Sequence, residues 1–465
     1  RFHYAGLGGS GMSALAQFQV MSGGRARGSD RAFDRGERAT GRAQLERLGI
    51  AVHPQDGSGV AGDCAALVVS TAVEEQVRDV AAARTRGLPI VHRSELLAYF
   101  VGYHRTLAIA GTSGKSTVVA MIFEILRANE RSPSVITGGD LVVLQREGLW
   151  GNAFHGGSDL LVVEADESDG SLVHYRPAIG VVLNLQRDHK EMAEVAAMFA
   201  ALREHTRDAF VVGEGEPLAA LAEDATVFGF GLRATVRGEA VRLGPDASAF
   251  EVRGVPFRLP APGRHNVENA LAAIATCDRL GVPLVEMATA LAHFMGVGRR
   301  FQSLGSARGV EVVDDFAHNP AKLAAAITTA HSRVGAGAAA AGAAVTPHGR
   351  VLAIYQPHGY GPTRFLRRDF VDTFASELRG GDRLWMLEVY YAGGTASRDF
   401  SAADIVAEIT ARGPAAALAA PRAGRVERVT REARAGALVL VMGARDPSLT
   451  DLARQILDAL GRPAG

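Results

Sequence analysis

The chain has 465 residues, room for roughly three domains of ordinary size, and its 47% apolar and 22% charged residues can build buried cores rather than disorder. Fifty basic and fifty acidic residues cancel, which argues against nucleic acid or an anionic membrane as the main partner. Cys64 and Cys277 stand too far apart in sequence to support a disulfide framework or zinc site, and no apolar run reaches the ~18 residues of a membrane span.

The first strand-like run, Phe2–Gly6, begins directly after Arg1, so a few residues are expected to be missing before it. No signal-peptide pattern is present, and a cytoplasmic enzyme is expected. The run ends in GLGGSGMSALA (Gly6–Ala16), where Gly8, Gly9, Ser10, Gly11 and Met12 open a helix. Such a turn aims backbone N–H groups at a pyrophosphate, and Asp30 lies about where a ribose-binding acid belongs. Alone it fits NAD, FAD, a nucleotide-sugar or only a tight strand–helix turn. After Ala66–Ser70 comes Leu107–Ala110, which runs into AIAGTSGKST (Ala108–Thr117). Strand, glycine turn, Lys115, Ser116 and helix follow in the order of a nucleotide triphosphate cradle. Its loop is Gly111, Thr112, Ser113 and Gly114, shorter than the usual form, so a plain Gly-rich turn is the alternative.

Leu160–Glu164 leads into the acidic run Glu164–Asp169, and Gly180–Asn184 into Asn-Leu-Gln-Arg-Asp-His (184–189). Acids at the carboxyl end of a buried strand face the ligand crevice of an α/β sheet. Glu164 is therefore placed to bind magnesium opposite Ser116, and His189 to serve a second metal or a phosphate. Residues 226–260 alternate and carry many glycines, which predicts antiparallel hairpins. GRHNVENALAA (263–273) offers Asn266, whose amide can both donate to and accept from an adenine edge. Arg299 and Arg300 suit a phosphate clamp. Val310–Asp314 leads into Asp-Asp-Phe-Ala-His-Asn-Pro (314–320), where Asp315 suits a ribose hydroxyl. The Ala/Gly-rich stretch 335–349 reads as a mobile surface insertion. Val351–Tyr355, Leu384–Glu388 and Leu438–Met442 complete the strands, with Gln356-Pro357-His358 at one strand end. Short apolar strands alternating with helices make this an α/β protein with parallel sheets covered on both faces.

Taken in order, these blocks resemble the motif set of the Mur ligase family over nearly the whole chain. No single block is specific; the ordered set is. The resemblance implies a Rossmann-like UDP-sugar domain (1–103) and a central P-loop ATPase-type parallel-sheet domain (104–302). A C-terminal Rossmann-like α/β domain that brings the amino acid (303–465) follows. It implies ATP and Mg2+, and a ligase joining the carboxylate of UDP-N-acetylmuramate, or a close relative, to an amino acid, L-alanine foremost. The route is an acyl phosphate, the setting peptidoglycan precursor synthesis. Under the resemblance Lys115 neutralises the transferring phosphate. Ser116 and Glu164 hold one magnesium and His189 helps hold another, while Gly111 to Gly114 and Thr117 complete the ATP cradle. Asn266 binds adenine, Asp315 ribose and Arg300 phosphate. Gly8 to Met12, Asn152 and Ser168 belong to the sugar side, and His318 faces the amino acid or the acyl phosphate. Partners are then small molecules, in a monomer or weak homodimer.

The chain departs from the family pattern in places. Ser113 stands where an imidazole or amide is usual, Phe316 where tyrosine is usual and Asn319 where a second histidine is usual. In Gln356–Arg364 (QPHGYGPTR), Gly359 and Pro362 replace arginines. Two such cations carry charge-assisted hydrogen bonds worth about 1.5–3 kcal/mol each. Arg364 remains, with Arg367 and Arg368 as possible replacements. No lysine follows Lys190 before Arg207 to serve as a carbamylated metal ligand; Arg203 lies near that position. Two alternatives stay open: a paralogue acting on a muropeptide or a non-peptidoglycan acid, and a nucleotide-binding regulator without turnover. A dinucleotide oxidoreductase leaves Lys115 and the acidic run unexplained.

Overall fold

The short apolar runs become the strands of three largely parallel sheets, in a computed structural model. It describes all residues except 168–169, 187–190, 341–348, 392–396, 420–421, 445, 447 and 463–465, together with the side chains of 335–340 and 422–423. Two compact units result: residues 1–243 with 247–298, and residues 299–465 with 244–246.

The first unit holds two parallel sheets. One has the order Ala51–His53, Ala26–Ser29, Phe2–Ala5, Ala66–Val69, Ile90–His92. Strand order reverses at Phe2–Ala5, which opens a crevice at its carboxyl end, where the glycine turn Gly6–Gly9 leads into helix Ser10–Met21. In the other sheet Arg105–Ala110 lies between Ile179–Val182 and Leu160–Glu164, both parallel to it. Helix Lys115–Ala128 is apolar nearly all round because it is covered by the sheet on one side and helix Arg264–Asp278 on the other.

Residues 226–260 differ from the hairpin expectation. Thr226–Gly229 and Val236–Arg237 extend the parallel sheet, and only Glu239–Leu243, Ser248–Val252 and Val255–Leu259 form an antiparallel sheet. Val227 and Phe228 are both buried, so this stretch lacks the one-sided exposure that alternation suggested. The Ala/Gly stretch differs too. Helix Pro320–Ala340 continues into it, alanine being the best helix former, and 341–348 fall outside the described residues.

One hydrophobic cluster runs through both parallel sheets of the first unit, from Tyr4, Met12 and Phe18 to Ala110, Ile136, Val163 and Val182. In the second unit, the sheet order is Gln302–Ala307, Val310–Asp315, Leu438–Gly443, Val351–Gln356, Arg383–Met386, Ala416–Leu418. All of its pairs are parallel except the antiparallel edge Gln302–Ala307. Among the described residues no helix is long and apolar enough to cross a membrane.

Candidate active site

In the first unit the ends of three neighbouring strands bring together the phosphate loop, Glu164 and Asn184. Gly111 has φ +143°, and a Cβ there would stand 2.9 Å from that of Leu183. Gly114 has φ +86°, and its Cβ would stand 2.3 Å from Asn269 Oδ1. As the N-cap of helix Lys115–Ala128, Gly114 supplies no side-chain cap, which suits a helix start built to receive an anion.

Asn184 holds this loop from the next strand. Its Oδ1 accepts from Thr112 Oγ1 and from Ser113 N at 2.9 Å each, and its Nδ2 donates to Ser113 O at 3.1 Å. Ser113 therefore meets an amide through its backbone, so the side chain expected from the family pattern is not what fixes the loop. Lys115 Nζ donates to Gly111 O at 2.7 Å and to Glu167 at 2.6 Å, with Asp166 at 3.8 Å. Burial alone would lower the lysine pKa, but Glu167, Asp166 and Glu164 outweigh it and raise it, so the amine stays charged. Burial pushes the Glu167 carboxyl up, against the downward pull of Lys115.

Glu164 Oε2 accepts from Ser116 Oγ at 2.9 Å, Thr137 Oγ1 at 2.7 Å and Gly138 N at 2.9 Å. Thr117 follows in the first turn of the helix. Asn266 Nδ2 donates to Pro262 O at 2.7 Å, and Asn269, one turn on, lies against Gly114. Asn184, Thr137, Gly138 and Asn269 were missed in the sequence as site residues. Asn184 and Asn269 lay inside blocks already singled out, whereas the turn at 137–139 follows a strand of three residues, too short to stand out.

At the glycine turn, Gly8 N donates to Asp30 Oδ2 at 2.9 Å, and Arg38 hydrogen-bonds to Gly8 O. Asp30 thus shapes the glycine turn and caps the helix at Arg31 by accepting from Ala32 N at 2.7 Å. Gly9 and Ser10 are exposed at the turn, Gly11 packs against Arg93, and Met12 is buried. Asn152, expected on the sugar side, is wholly buried. Its Nδ2 donates to Ser10 O and Ser13 Oγ at 2.9 Å each, and its Oδ1 accepts from Gln17 Nε2 at 2.7 Å. Its amide serves the helix that carries the turn, so it positions this side from behind. Ser168 and His189 lie outside the described residues, and with them the expected second metal ligand. Arg203, weighed as standing near the missing lysine, hydrogen-bonds instead to Ala220 O and Glu223 O.

In the second unit, Asp315 accepts from Phe301 N and Ala317 N at 2.6 Å each. Burial raises its pKa to about 6, against the pull of Arg300 and these N–H groups. The Arg299 and Arg300 guanidiniums lie 5.3 and 5.0 Å from the Phe316 ring centre. Arg299 is further committed to Asp314 at 3.2 Å and to the carbonyls of Gly443 and Ala444. His318 Nδ1 hydrogen-bonds to Phe316 O at 2.9 Å, and its ring centre lies 5.4 Å from that of His358. Burial, then Lys322 and His358, hold its pKa well below 6.5, so the imidazole is neutral at pH 7.

Family models match three successive stretches of this chain. The Mur ligase family catalytic domain covers residues 1–105, the Mur ligase middle domain 109–277, and the Mur ligase glutamate ligase domain 299–445. The UDP-N-acetylmuramate–L-alanine ligase of Renibacterium salmoninarum is 33% identical over 100% of this chain and 97% of its own length. That of Thermobifida fusca is 34% identical over 99% and 97%. The chain belongs to the Mur ligase family. As a Mur ligase it is an ATP-dependent enzyme that forms amide bonds. Among solved structures, the UDP-N-acetylmuramate–alanine ligase of Thermotoga maritima superposes with a TM-score of 0.79 at 24% identity, over 99% of this chain and 98% of that one. A murein peptide ligase from Psychrobacter arcticus gives 0.69 at 19% identity, over 100% and 99%. Both share the three-domain Mur ligase fold.

The substituted motif of this Mur ligase has its own structural logic. Gly359 adopts φ +72°, a positive-φ conformation that an arginine reaches only with strain, and N-caps helix Tyr360–Phe365. Pro362 lies in the first turn of that helix, where its missing N–H is tolerated. Arg364 pairs with Asp399 and donates to Ser397 O at 2.8 Å, while Arg367 pairs with Glu408 at 2.7 Å. Arg368 lies 3.9 Å from Asp372, with its side chain 89% exposed.

Proposed function

We propose that this Mur ligase joins the carboxylate of UDP-N-acetylmuramate to L-alanine at the expense of ATP, in peptidoglycan precursor synthesis in the cytoplasm. The observation that carries the reading is the convergence of Lys115, Ser116 and Glu164 on one phosphate loop, in a chain similar along its whole length to alanine-adding ligases. The glycine turn at Gly8–Met12 takes the diphosphate of the UDP-sugar, and the phosphate loop takes ATP.

The Ser116 hydroxyl and Glu164 carboxylate are hard oxygen donors and fit Mg2+, which typically binds one or two carboxylates and substrate phosphates. Bound there, it would neutralise charge on the phosphate oxygens. Lys115, kept charged by its carboxylate neighbours, stabilises the transferring phosphoryl group as the substrate carboxylate attacks the γ-phosphorus and ADP leaves. The amine of L-alanine then attacks the acyl carbon, and phosphate departs from the tetrahedral intermediate. Neutral His318 accepts the proton that the amine loses. Asn266 takes adenine, Asp315 the ribose and Arg300 phosphate, His189 belonging to a second cation site.

A phosphate-release assay with UDP-N-acetylmuramate, ATP and Mg2+ across the common amino acids tests the reading. Release should depend on L-alanine; no release with any amino acid would sink it. A second reading changes the acceptor, because the arginines of the usual motif are replaced by Gly359 and Pro362 and Arg364 is engaged by Asp399. It predicts release that depends on UDP-N-acetylmuramate with an amino acid other than alanine.

A further inference from the structure

Strand Ser134–Ile136 runs parallel to Leu160–Glu164, with Ile136 opposite Val163. One residue beyond that ladder, Thr137 falls beside Glu164. Thr137 is buried, and its main chain is fixed by donation from Thr137 N to Asn152 O at 3.0 Å. Its hydroxyl donates to Glu164 Oε2 at 2.7 Å and accepts from Gly139 N at 3.3 Å. The turn that follows is clamped. A Cβ on Gly139 would stand 2.9 Å from Ser116 Cβ and from Val297 Cγ1, and one on Gly138 would stand 3.4 Å from Glu164 Oε2.

Every described hydrogen bond to this carboxylate reaches Oε2: Ser116 Oγ, Thr137 Oγ1 and Gly138 N. The Ser116 hydroxyl can offer a lone pair to a cation while its proton stays on Oε2. Thr137 and Gly138 have no such second task and serve only to hold Oε2. We propose that Thr137 is a positioning residue of the cation site: with the Gly138 N–H it seats Glu164 through Oε2, so that Oε1 is the oxygen presented to the metal. This rests on reading Glu164 as a cation ligand. Hydrogen-bond partners of ligating carboxylates fix their orientation, and removing one typically costs 10–100-fold in metal affinity.

The test measures Mn2+ binding to the full chain with ADP, by electron paramagnetic resonance. Thr137→Val keeps the shape and loses the hydroxyl, and should weaken Mn2+ binding about tenfold, while Thr137→Ser should stay within about threefold of wild type. Thr137→Ala replaces the valine variant if circular dichroism shows that variant misfolded, with the same expectation. Glu164→Gln is measured in parallel. If it leaves Mn2+ binding unchanged, the cation reading itself fails. If it weakens binding while Thr137→Val matches wild type, or if Thr137→Ser is as weak as Thr137→Val, the role of Thr137 is overturned and the cation reading survives.

Discussion

Lys115 bonds at once to the loop carbonyl of Gly111 and to Glu167, which keeps its charge inside the phosphate loop. In the proposed mechanism Lys115→Ala removes charge where the phosphoryl group transfers, and should lower turnover by at least about 10²-fold. UDP-N-acetylmuramate affinity, measured by calorimetry, should be unchanged; turnover within tenfold of wild type would refute the role. Glu124, on the helix that follows the loop, makes a pH prediction. Burial raises its pKa from 4.5 to about 7, although Met295 N–H, Arg127 and Arg146 pull the other way. Between those values the folded chain holds a proton that the unfolded chain has lost, so stability falls as pH rises from 4.5 to about 7. Glu124→Gln keeps an acceptor for Met295 N, 3.1 Å away, and cannot ionise. Its stability should exceed wild type at pH 8 by on the order of 2 kcal/mol, as read from thermal melting, and the gap should close as the pH falls to the ordinary glutamate range. A gap that does not change with pH would show that another group titrates.

At the scale of elements, the side chains that tie strands and helices together decide how the site is held. Asn152 reaches from the central domain into the first turn of helix Ser10–Met21. Asn152→Ala strands the partners of a wholly buried amide and should cost about 2–4 kcal/mol in denaturant unfolding. Loss of UDP-sugar affinity with stability intact would instead mark it as a ligand contact. The parallel strands of the two sites were legible in the sequence because each is an apolar run ended sharply by glycine or acid, as at Ala110-Gly111 and Val163-Glu164. The hydrogen bonds of Asn152 were not legible, since they depend on a helix some 140 residues earlier meeting the central sheet. Thr137 was illegible for a related reason: its partner is set by which strand lies beside which, and strand order is not written locally. Residues 226–237 misled because a short buried edge strand and a hairpin arm share the same composition.

The molecule as a whole divides at Gly298–Arg299 into two compact units. Scanning calorimetry should resolve two transitions, with UDP-N-acetylmuramate raising that of the first unit alone, by about 2.7 kcal/mol at a hundredfold excess over Kd. A single transition that shifts as a whole would show that the units unfold together. Within the first unit, the hydrophobic cluster shared by the glycine-turn sheet and the phosphate-loop sheet changes how variants must be interpreted. A cavity opened beneath the glycine turn, at Phe18, is inherited by the strands beneath the phosphate loop. Variants of this cluster should therefore lower the apparent affinities for UDP-N-acetylmuramate and ATP together, with neither loop altered. Genetic dissection of the two loops has to avoid this shared cluster, and to use surface substitutions or the clusters that involve only one of the two parallel sheets, such as that of Ile109 and Val119 or that of Ala5 and Leu67.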